Sequence, residues 1–355
     1  MAYQILTINP GSTSTKIGLY QDTSEVVTQN ITHSATDIAQ FATITDQIKF
    51  RLESIHEFLA FQNVNPYDLA AVVGRGGLLK PMVSGTYQIN DSMLADLNNN
   101  RYGAHASNLG AILADHIAKQ GRCLGYIVDP VVVDELAPIA RVTGRPEISR
   151  KSIFHALNQK AAAKRFAKSI NRPYNSLNLI VAHLGGGISV GCHTFGEVLD
   201  VNNALDGDGP FSPERAGTLP AGQLAEKIIA EKLDYTATSR LLAGKGGLVA
   251  HLGTNDVREV ERRAITGDKQ AELIYQAMIY TIAKSIAAAA VPVCGKVDHI
   301  ILTGGIAYSE LLTDRLKQYI SFIAPVTVLP GENELQALAE GAYRVLTGEE
   351  VAREY

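Results

Sequence analysis

The sequence predicts an α/β protein of two similar domains, each a mixed β-sheet flanked by helices. Three observations lead to this prediction. The chain has 355 residues, which is enough for roughly two domains. A pattern of three short strands occurs twice, about half a chain apart. Each copy is followed by segments with helical spacing of apolar residues, and then by an apolar run that ends in glycines.

The first copy of the pattern begins at the amino terminus. Strands are expected at 3–8, 15–20 and 25–32, where β-branched residues lie between polar turns that carry Gly or Pro. The turn between the first two strands (residues 9–16, NPGSTSTK, here the first turn) is rich in hydroxyls and suits phosphate. It lacks both the Walker spacing and the spacing of dinucleotide folds. The way it would hold a phosphate must therefore be a different one.

The second copy spans residues 178–203, NLIVAHLGGGISVGCHTFGEVLDVNN. An apolar run again meets a glycine-rich turn, and two further strand-like runs follow. In this comparison His183 corresponds to Asn9, and Gly185 corresponds to Gly11. The alternative is that two unrelated hairpins are alike by coincidence.

The helices and the domain boundary follow from the same reasoning. Residues 46–62 and 272–290 have apolar residues at three- and four-residue spacing, which predicts helices. The segment 141–152 is polar and broken by Gly and Pro, which favours a boundary. We therefore predict domains at 1–148 and 149–355, with the last helix free to pack back on the first domain. A cleft between two domains is a favoured place for an active site.

Composition excludes several classes of function. The net charge of −4 shows no basic bias, which argues against nucleic-acid binding. Cys123, Cys192 and Cys294 lie far apart and are expected to be buried free thiols. The apolar run at 285–293 is far shorter than a membrane span, and the start of the chain does not read as a signal peptide. A soluble, cytoplasmic protein without membrane partners is the expectation.

Five motifs resemble the acetokinase family, within the superfamily of acetate and sugar kinases, actin and heat-shock chaperone ATPases. They cover nearly the whole chain and are specific together, although LTGG or the Asn-Pro-Gly turn alone would be weak. The motifs are TINPGSTSTK (7–16), VGRGG (73–77), IVDPVVVDELAPIARVTGRPEISRKSIFHALNQK (127–160), AHLGGGISVG (182–191) and LTGGIAYS (302–309).

The resemblance implies a fold and a reaction. The fold would be two duplicated ribonuclease-H-like domains, with the carboxylate substrate on the first and the adenosine on the second. The reaction would convert ATP and a short carboxylate into ADP and an acyl phosphate, with Mg²⁺. It runs in both directions, and the reverse direction forms ATP. A homodimer or a higher homo-oligomer is the family expectation.

Three side chains are implied in the chemistry of transfer. Arg75, between glycines at the end of an apolar run, would bind the carboxylate, since guanidinium and carboxylate fit each other bidentately. The alternative is a surface arginine in a turn. By resemblance His183 and His155 would stabilise the transferring phosphoryl group, the alternative being satisfied core histidines. Acetate kinases carry a further histidine where this chain has Gln159.

Metal binding is implied for three residues. Asp129, at a predicted strand end, would orient Mg²⁺ or its waters, and Asn9 would lie beside it. Mg²⁺ takes only one or two protein carboxylates. Glu334 is the second candidate, but a glutamate in the first turn of a helix is common anyway. Asn333 is expected to cap that helix, with Gln336 completing a capping-box-like pattern.

Phosphate and adenosine contacts are implied for the loops. Lys16 could instead be a strand lysine that points outward, and a transition-state role of Arg215 is left open because the local spacing departs from the acetate-kinase pattern. The segment 245–261 is expected near the base, with Asp256 and Arg258 lining it. The predicted nucleotide-binding residues are Asn9, Ser12, Ser14, Lys16, Gly185, Gly186, Gly187, Gly304, Gly305 and Ile306.

The preferred acid is expected to be butyrate, with Phe154 as a wall of its pocket. Butyrate has two more methylenes than acetate, and each is worth about 0.8 kcal/mol when buried. Discrimination is therefore modest, and isobutyrate, propionate or acetate remain alternatives. A non-kinase ATPase of the actin or chaperone type is the rival from another class, although no spare segment for a polymer or peptide site is visible.

Overall fold

In the computed structural model, which describes residues 2–355, the chain forms two compact units. The first unit comprises the residues up to Val133 together with Asn333–Tyr355, and the second unit comprises Asp134–Glu332. The strands are β1 (Gln4–Pro10), β2 (Ser14–Gln21), β3 (Ser24–Thr32), β4 (Ala71–Arg75), β5 (Thr86–Gln88), β6 (Leu124–Val128), β7 (Leu179–Leu184), β8 (Ile188–Thr194), β9 (Glu197–Val201), β10 (His299–Gly304) and β11 (Val326–Pro330).

The helices fall between and after these strands. Short 3₁₀ turns add Thr45–Gln47, Pro66–Asp68, Pro138–Arg141, Tyr174–Ser176, Val291–Val293 and Gly305–Tyr308. The α-helices are α1 (Ala35–Ala39), α2 (Ile48–Phe61), α3 (Asp91–Asn98), α4 (Asn108–Gly121), α5 (Ala156–Ser169), α6 (Ala221–Glu231), α7 (Tyr235–Leu242), α8 (Gly247–Leu252), α9 (Val257–Ile265), α10 (Lys269–Ala288), α11 (Glu310–Ile320) and α12 (Glu334–Leu346).

Each unit is built on one mixed sheet, and the two sheets share a strand order. The first sheet has the order β3-β2-β1-β4-β6-β5, and the second has the order β11-β10-β7-β8-β9. In both, an antiparallel three-strand meander is extended by two strands parallel to its first strand, and β5 adds an antiparallel edge strand to the first sheet. Asn9 and His183 each occupy the next-to-last paired position before their turn. The predicted duplication and the α/β fold class are confirmed.

The central strands of the second unit are apolar because both faces of the sheet are covered. Every residue of β7 and β8 is buried. Side chains alternate between faces along a strand. Ile180 belongs to the buried cluster that contains Met278 of α10, whereas the next residue, Val181, belongs to the cluster that contains Phe166 of α5. Continuous burial of this kind is typical of strands with helices on both sides.

The first unit is closed by the carboxyl-terminal helix. Leu335 of α12 lies over Gly18 of β2, and Gly341 is so close to Val128 of β6 that a Cβ there would overlap the valine side chain. On the same sheet, Gly74 of β4 meets the backbone of α4 at Gly110 equally closely. Glycines at these contacts allow helices to approach the strands.

The compact units differ from the predicted domains at two places. Residues from Asp134 onward already belong to the second unit, where Ala137 N–H donates to the carbonyl of Leu199 at 2.9 Å. The boundary therefore lies before the polar segment 141–152, because that segment is held by the second unit rather than linking the two. The carboxyl terminus from Asn333 packs on the first unit, as the prediction had left open.

The segment Lys269–Val293 is long and apolar enough to cross a membrane by length and composition alone. It is longer than the apolar run at 285–293 that the sequence suggested. One side of it lies in the core of the second unit, which accounts for its apolar character. The buried residues of α10 are Ala271, Tyr275, Met278, Ile279, Ile282, Ala283 and Ile286.

The three cysteines are free thiols, as expected, but they are not all buried. Cys192, in the middle of β8, is buried, and burial raises the pKa of its thiol to about 12. Cys123 is half-buried and Cys294 is exposed. Cys294 ends a 3₁₀ turn in the left-handed conformation, with φ of 51°, so the apolar run around it turns back at the surface.

Candidate functional site

A polar cluster in the first unit joins Asn9, Arg75 and Glu334. Asn9 is in β1 and Arg75 ends β4, and because these strands are parallel neighbours, their carboxyl ends lie at the same edge of the sheet. Arg75 Nη1 lies 2.5 Å from Glu334 Oε1. Asn9 Nδ2 donates to Glu334 Oε2 at 2.5 Å, and Arg75 Nη1 lies 3.5 Å from Asn9 Oδ1. The fold thus brings together three side chains that the sequence analysis named as candidates.

Glu334 takes part in this cluster and not in a helix cap. The predicted capping box is wrong, because Asn333 adopts the left-handed conformation with φ of 39° and its side chain makes no capping hydrogen bond. Glu334 begins α12 and extends to the sheet edge, with its side chain 13% exposed. Both of its carboxylate oxygens accept from neighbours, so the arginine is held in place with its charge balanced.

Asp129 follows β6 and is held by backbone groups of the same unit. Its Oδ1 accepts from Gly85 N–H at 2.7 Å, and its own N–H donates to Gly85 O at 3.1 Å. Its φ of 39° lies in the left-handed region, where a non-glycine residue is strained. The side chain is 3% exposed. A buried carboxylate in a strained position is typical of a functional site.

Within residues 2–355, no group of three or more His, Cys, Asp and Glu side chains is placed to hold a metal ion. The residues present still fit Mg²⁺, which prefers oxygen ligands and usually keeps several waters. Asp129 and Glu334 offer carboxylate oxygens, and Asn9 offers an amide oxygen. Zinc sites in proteins are built mainly from Cys and His, and this donor set contains neither.

The first turn presents short polar side chains at the surface. Ser12 and Lys16 are exposed, and Ser14 is half-exposed. The backbone of the turn closes with a hydrogen bond from Gly11 N–H to Ser14 O at 2.8 Å. Behind the turn lies Arg51 of α2, which the sequence analysis did not single out.

His105 is a further residue that sequence reasoning missed. Ser107 N–H donates to its Nδ1 at 3.2 Å, so that nitrogen is an acceptor and Nε2 carries the proton. His105 as a whole residue is exposed. Protein atoms nevertheless bury part of its ring, and this burial lowers the pKa of the ring; the charge of Arg75 lowers it further. No motif marked this histidine, and only its place near Arg75 singles it out.

In the second unit the two predicted histidines are stacked. The rings of His155 and His183 lie 3.8 Å apart between centroids, with an angle of 11° between their planes. His183 is in β7 and is 2% exposed, whereas His155 directly precedes α5. The resemblance placed both at the transferring phosphoryl group, and the structure brings their rings together.

Hydrogen bonds fix which nitrogen of His183 carries a proton. The amide of Asn158 donates through Nδ2 to the carbonyls of Gly331 and Glu332, at 3.3 and 3.0 Å. Its Oδ1 is therefore the acceptor that faces His183 Nδ1 at 2.8 Å, so Nδ1 is protonated. Nε2, which lies 3.5 Å from Glu332 Oε1, can then donate only when the ring is an imidazolium.

A second chain of hydrogen bonds fixes His155. Gln159 Nε2 donates to Ser189 O and to Ser189 Oγ, at 3.0 and 2.8 Å. The hydroxyl of Ser189 also accepts weakly from the backbone N–H of His155, so its own proton goes to His155 Nδ1 at 2.9 Å. His155 then carries its proton on Nε2. The two stacked rings thus differ in where their protons lie.

Gln159 stands where acetate kinases carry a second histidine, and its partner here is a different histidine. Its Oε1 accepts from His193 Nε2 at 2.9 Å, and Tyr174 lies 2.7 Å from the other ring nitrogen of His193. Burial, and then the charge of Lys160, lower the pKa of His193 well below its usual range. Because the ring is neutral and its Nε2 donates to Gln159, Nδ1 accepts from the tyrosine hydroxyl.

Arg215 packs on the turn Gly185–Gly187 (here the glycine turn). A Cβ at Gly187 would overlap the guanidinium of Arg215. Arg215 Nη1 donates to Ala204 O at 2.7 Å. Burial lowers the pKa of this arginine, and the neighbouring Glu214 opposes that effect. The glycine turn therefore carries a cation directly against its backbone.

A cavity of about 960 Å³ opens beside the glycine turn in the second unit. Its walls include Gly186, Gly305 and Ile306, together with the predicted pair Asp256 and Arg258. Those two side chains bond to each other, with Arg258 Nη2 2.9 Å from Asp256 Oδ2. Among the atoms of residues 2–355, none beyond the chain neighbours of Gly305 lies within 4 Å of a Cβ built there, so the cavity is open at this point.

Gly304, which precedes Gly305, is a glycine for a structural reason: its backbone conformation and its close neighbours leave no room for a side chain. Gly304 has a φ of 92°, and a Cβ there would meet the backbone of Leu184. Its N–H and C=O both bond to Gly331, at 3.1 and 2.9 Å. Gly304 thus fastens the end of β10, while Gly305 faces the cavity.

Comparisons with known proteins agree with this geometry. A family model described as the acetokinase family matches residues 141–321. "Butyrate kinase 2" of Clostridium acetobutylicum is 52% identical over 355 residues, which is all of both chains. The "probable butyrate kinase" of Clostridium botulinum is also 52% identical over the same length. The crystal structure of Porphyromonas gingivalis acetate kinase has a TM-score of 0.77 at 18% identity, covering 96% of this chain and 99% of that one. Through its family-model match and its full-length relatives, this chain belongs to the acetokinase family.

Proposed function

We propose that this protein is a butyrate kinase, which transfers the γ-phosphoryl group of ATP to butyrate and forms butyryl phosphate and ADP. The observation that carries the proposal is the 52% identity with "Butyrate kinase 2" along the whole of both chains. The polar clusters described above supply a chemical account of the reaction. The same path runs backward and forms ATP from butyryl phosphate.

Arg75 is the residue proposed to bind the carboxylate. Its guanidinium can present two donor nitrogens to a carboxylate, and one of them, Nη1, already pairs with Glu334 Oε1. An acid substrate would compete for the arginine with Glu334. The exchange of one carboxylate for another keeps the charge balanced and releases Glu334 for the metal.

Mg²⁺ would be held by Asp129, Glu334 and Asn9, and would neutralise charge on the phosphates of the nucleotide. Asp129 is suited to this because Gly85 fixes one carboxylate oxygen. The first turn would contact phosphate through Ser12, Ser14 and Lys16, whose side chains reach solvent. The glycine turn would do so through its backbone, with Arg215 as the adjoining cation.

The histidines are proposed to stabilise the transition state. In the transfer, a carboxylate oxygen forms a bond to phosphorus while the bond from phosphorus to the oxygen of ADP breaks, so no proton is moved. Charge on the equatorial oxygens must then be met by donors. His155 donates through Nε2 as a neutral ring, and His183 donates through Nε2 as an imidazolium.

The cavity beside Gly305 is the proposed adenosine site. A volume of about 960 Å³ fits a nucleotide, and Ile306 offers an apolar surface for the base. The first unit is thus proposed to hold the acid and the second the nucleoside. A homodimer or higher homo-oligomer in the cytoplasm is the arrangement we propose for the cell, without nucleic-acid or membrane partners.

The acyl chain of the acid is proposed to lie in an apolar pocket. Phe154 is 1% exposed and remains the proposed wall of the acyl pocket. Because burying each methylene adds only about 0.8 kcal/mol to the binding free energy, isobutyrate, propionate and acetate are expected to react more slowly but still to be substrates.

The test is formation of acyl phosphate, trapped with hydroxylamine, from ATP, Mg²⁺ and straight and branched acids of different length. A maximum at butyrate is the expected result. A maximum at isobutyrate or propionate would retain the reaction and change the substrate. No trapped product with any acid, in a protein that still binds ATP, would refute the kinase proposal and favour an ATPase of the actin or chaperone type.

A further inference from the structure

A buried cation lies directly behind the first turn. Arg51, on α2, is 0% exposed, and its guanidinium makes six hydrogen bonds. Three of these go to carbonyl oxygens of the turn: Gly11 O at 2.9 Å, Ser12 O at 3.3 Å and Ser14 O at 2.8 Å. The neighbouring contacts are with Thr15 Oγ1 at 2.9 Å and Gln47 Oε1 at 2.9 Å.

All of these acceptors are neutral. Within residues 2–355 no carboxylate forms an ion pair with Arg51. The adjacent histidine, His33, shares Thr15 Oγ1 at 2.8 Å, and burial and then the Arg51 charge lower the pKa of that ring. A buried charge without an opposite charge is costly, and natural proteins retain one mainly where it has a use.

The hydrogen bonds also determine where the amides of the turn point. In a trans peptide the C=O and the following N–H point in opposite directions. Because the carbonyls of Gly11 and Ser12 point to Arg51, the N–H groups of Ser12 and Thr13 point away from it. Ser12 and Thr13 are exposed, so these two donors face solvent. Successive outward N–H groups form a concavity that binds anions.

We propose that Arg51 is a positioning residue for phosphate binding: it turns the amides of Ser12 and Thr13 outward, and its buried charge is balanced by the phosphate that they bind. This inference rests on the proposed function, since it takes the first turn to contact a phosphate of ATP. It adds a residue that no motif marked. The guanidinium does not touch the substrate, but acts through one layer of peptide groups.

The test is direct binding, measured by calorimetry with three probes: the non-hydrolysable imido analogue of ATP, pyrophosphate and adenosine. Replacing Arg51→Gln is expected to weaken the two phosphate-bearing probes roughly tenfold to a hundredfold, as for a lost charge-assisted contact. Adenosine, which has no phosphate, is expected to bind as before. Arg51→Lys, which keeps the charge and fewer hydrogen bonds, is expected to lie between Arg51→Gln and the wild type.

Two matched controls separate positioning from general stability. Lys49→Met removes an exposed positive charge from the same helix, and Ile55→Ala removes a buried side chain from it. Neither is expected to change the ratio of pyrophosphate to adenosine affinity. If Ile55→Ala lowers that ratio as much as Arg51→Gln, or if Arg51→Gln weakens adenosine equally, the inference is wrong.

A measurement on the wild type covers the case in which Arg51→Gln does not fold. Pyrophosphate is expected to shift the backbone amide resonances of Ser12 and Thr13 and not those of exposed α2 residues. Unshifted Ser12 and Thr13 amides at saturating pyrophosphate would overturn the inference. Because none of these experiments needs an acid substrate or turnover, the acyl-phosphate assay can fail or succeed independently of them.

Discussion

At the scale of single residues, the position of the proton on His183 is a consequence of one amide. Asn158 is locked by the carbonyls of Gly331 and Glu332, and so it offers only an acceptor to His183. If the ring lost that partner, Nδ1 could become the unprotonated nitrogen, and a neutral His183 could donate through Nε2 without gaining a proton. The amide therefore decides in which form the histidine acts.

Replacing Asn158→Leu is expected to lower kcat by about a hundredfold, because the His183 ring loses the hydrogen bond that holds it in place and a displaced catalytic group is costly. The KM for butyrate is expected to change little, because the acid is proposed to bind at Arg75. Steady-state kinetics over pH 6 to 9 measures both constants.

The control for this prediction is Ser189→Ala, which removes the partner of His155 and leaves the Asn158 contact intact. It is expected to lower kcat through His155 and to leave the proton of His183 on Nδ1. Long-range proton–nitrogen spectra of ¹⁵N-histidine report each tautomer directly. A wild-type His183 with an unprotonated Nδ1 at pH 8 would contradict the assignment.

How far the sequence predicts the site differs among residues. Arg75, His155 and His183 were identified because the resemblance to the acetokinase family implied roles for these positions of its motifs. Asn158 and Arg51 were not, because their roles depend on partners distant in sequence: Gly331 and Glu332 lie 173 and 174 residues from Asn158, and Gly11 lies 40 residues from Arg51. No local pattern distinguishes a buried asparagine that orients a histidine from one that caps a turn.

At the scale of elements, the conformation of each hairpin turn is fixed by the side chain that packs against it. A side chain at Gly187 in the glycine turn would displace Arg215, because a Cβ there would overlap the end of the arginine. The arginine is long and flexible there, so it can move without distorting the strands. A substitution at Gly187 therefore tests the role of Arg215 separately from the stability of the sheet.

Replacing Gly187→Ala is therefore expected to lower kcat by about tenfold or more, as for one displaced charge-assisted contact, with little loss of stability. Thermal unfolding and the acyl-phosphate assay measure the two effects. Gly222→Ala in α6 is the matched control, since nothing lies within 4 Å of its added Cβ. It is expected to leave activity unchanged and to raise helix stability by about 0.5–1 kcal/mol. Equal activity of both variants would show that Arg215 needs no such position.

The repeat of strands was predictable because apolar runs and glycine turns occur at the same spacing in both halves of the sequence. The start of α12 was not predictable. Asn333 and Gln336 have the spacing of a capping box, yet Asn333 is left-handed and the following Glu334 turns to Arg75. A tertiary ion pair competed with a local cap, and only the folded chain reveals which one forms.

At the scale of the whole molecule, buried neutral histidines make stability depend on pH. Burial, with the charge of Lys160, lowers the pKa of His193 well below 6.5 in the folded state, while the unfolded chain keeps the usual value. As pH falls below about 6.5, His193 binds a proton in the unfolded state but stays neutral in the folded state. Stability is therefore expected to decrease on acidification, by up to about 1.4 kcal/mol per pH unit for this one group.

Calorimetric unfolding between pH 7.5 and 5.5 tests this dependence. His193→Asn is expected to be less stable than the wild type at pH 7.5, because it loses contacts with Gln159 and Tyr174, but to lose less stability on acidification. His33 and His299, whose pKa values burial also lowers, are present in both proteins and cancel in the comparison. Parallel pH curves for the two proteins would show that His193 does not titrate as described.

The end of the chain belongs to the unit in which the chain begins. Arg353 N–H donates to Thr86 O at 2.8 Å, and Gln88 N–H donates to Arg353 O at 2.9 Å, so the carboxyl terminus pairs with β5. Ahead of it, Leu338 of α12 is 0% exposed in the first unit. The sequence boundary near 148 could not show this, because composition marks linkers and does not record which sheet a distant helix covers.

Replacing Leu338→Ala is expected to destabilise the first unit by about 2–5 kcal/mol, the usual effect of deleting a buried leucine side chain. Ile282→Ala in α10, also 0% exposed, is the matched change in the second unit. Hydrogen exchange read by mass spectrometry measures each unit separately. Leu338→Ala should speed exchange in β1 and β4 with β7 and β10 protected, and Ile282→Ala should do the reverse. Faster exchange in β7 than in β1 after Leu338→Ala would place the helix with the second unit, because a lost side chain loosens first the sheet that it covers.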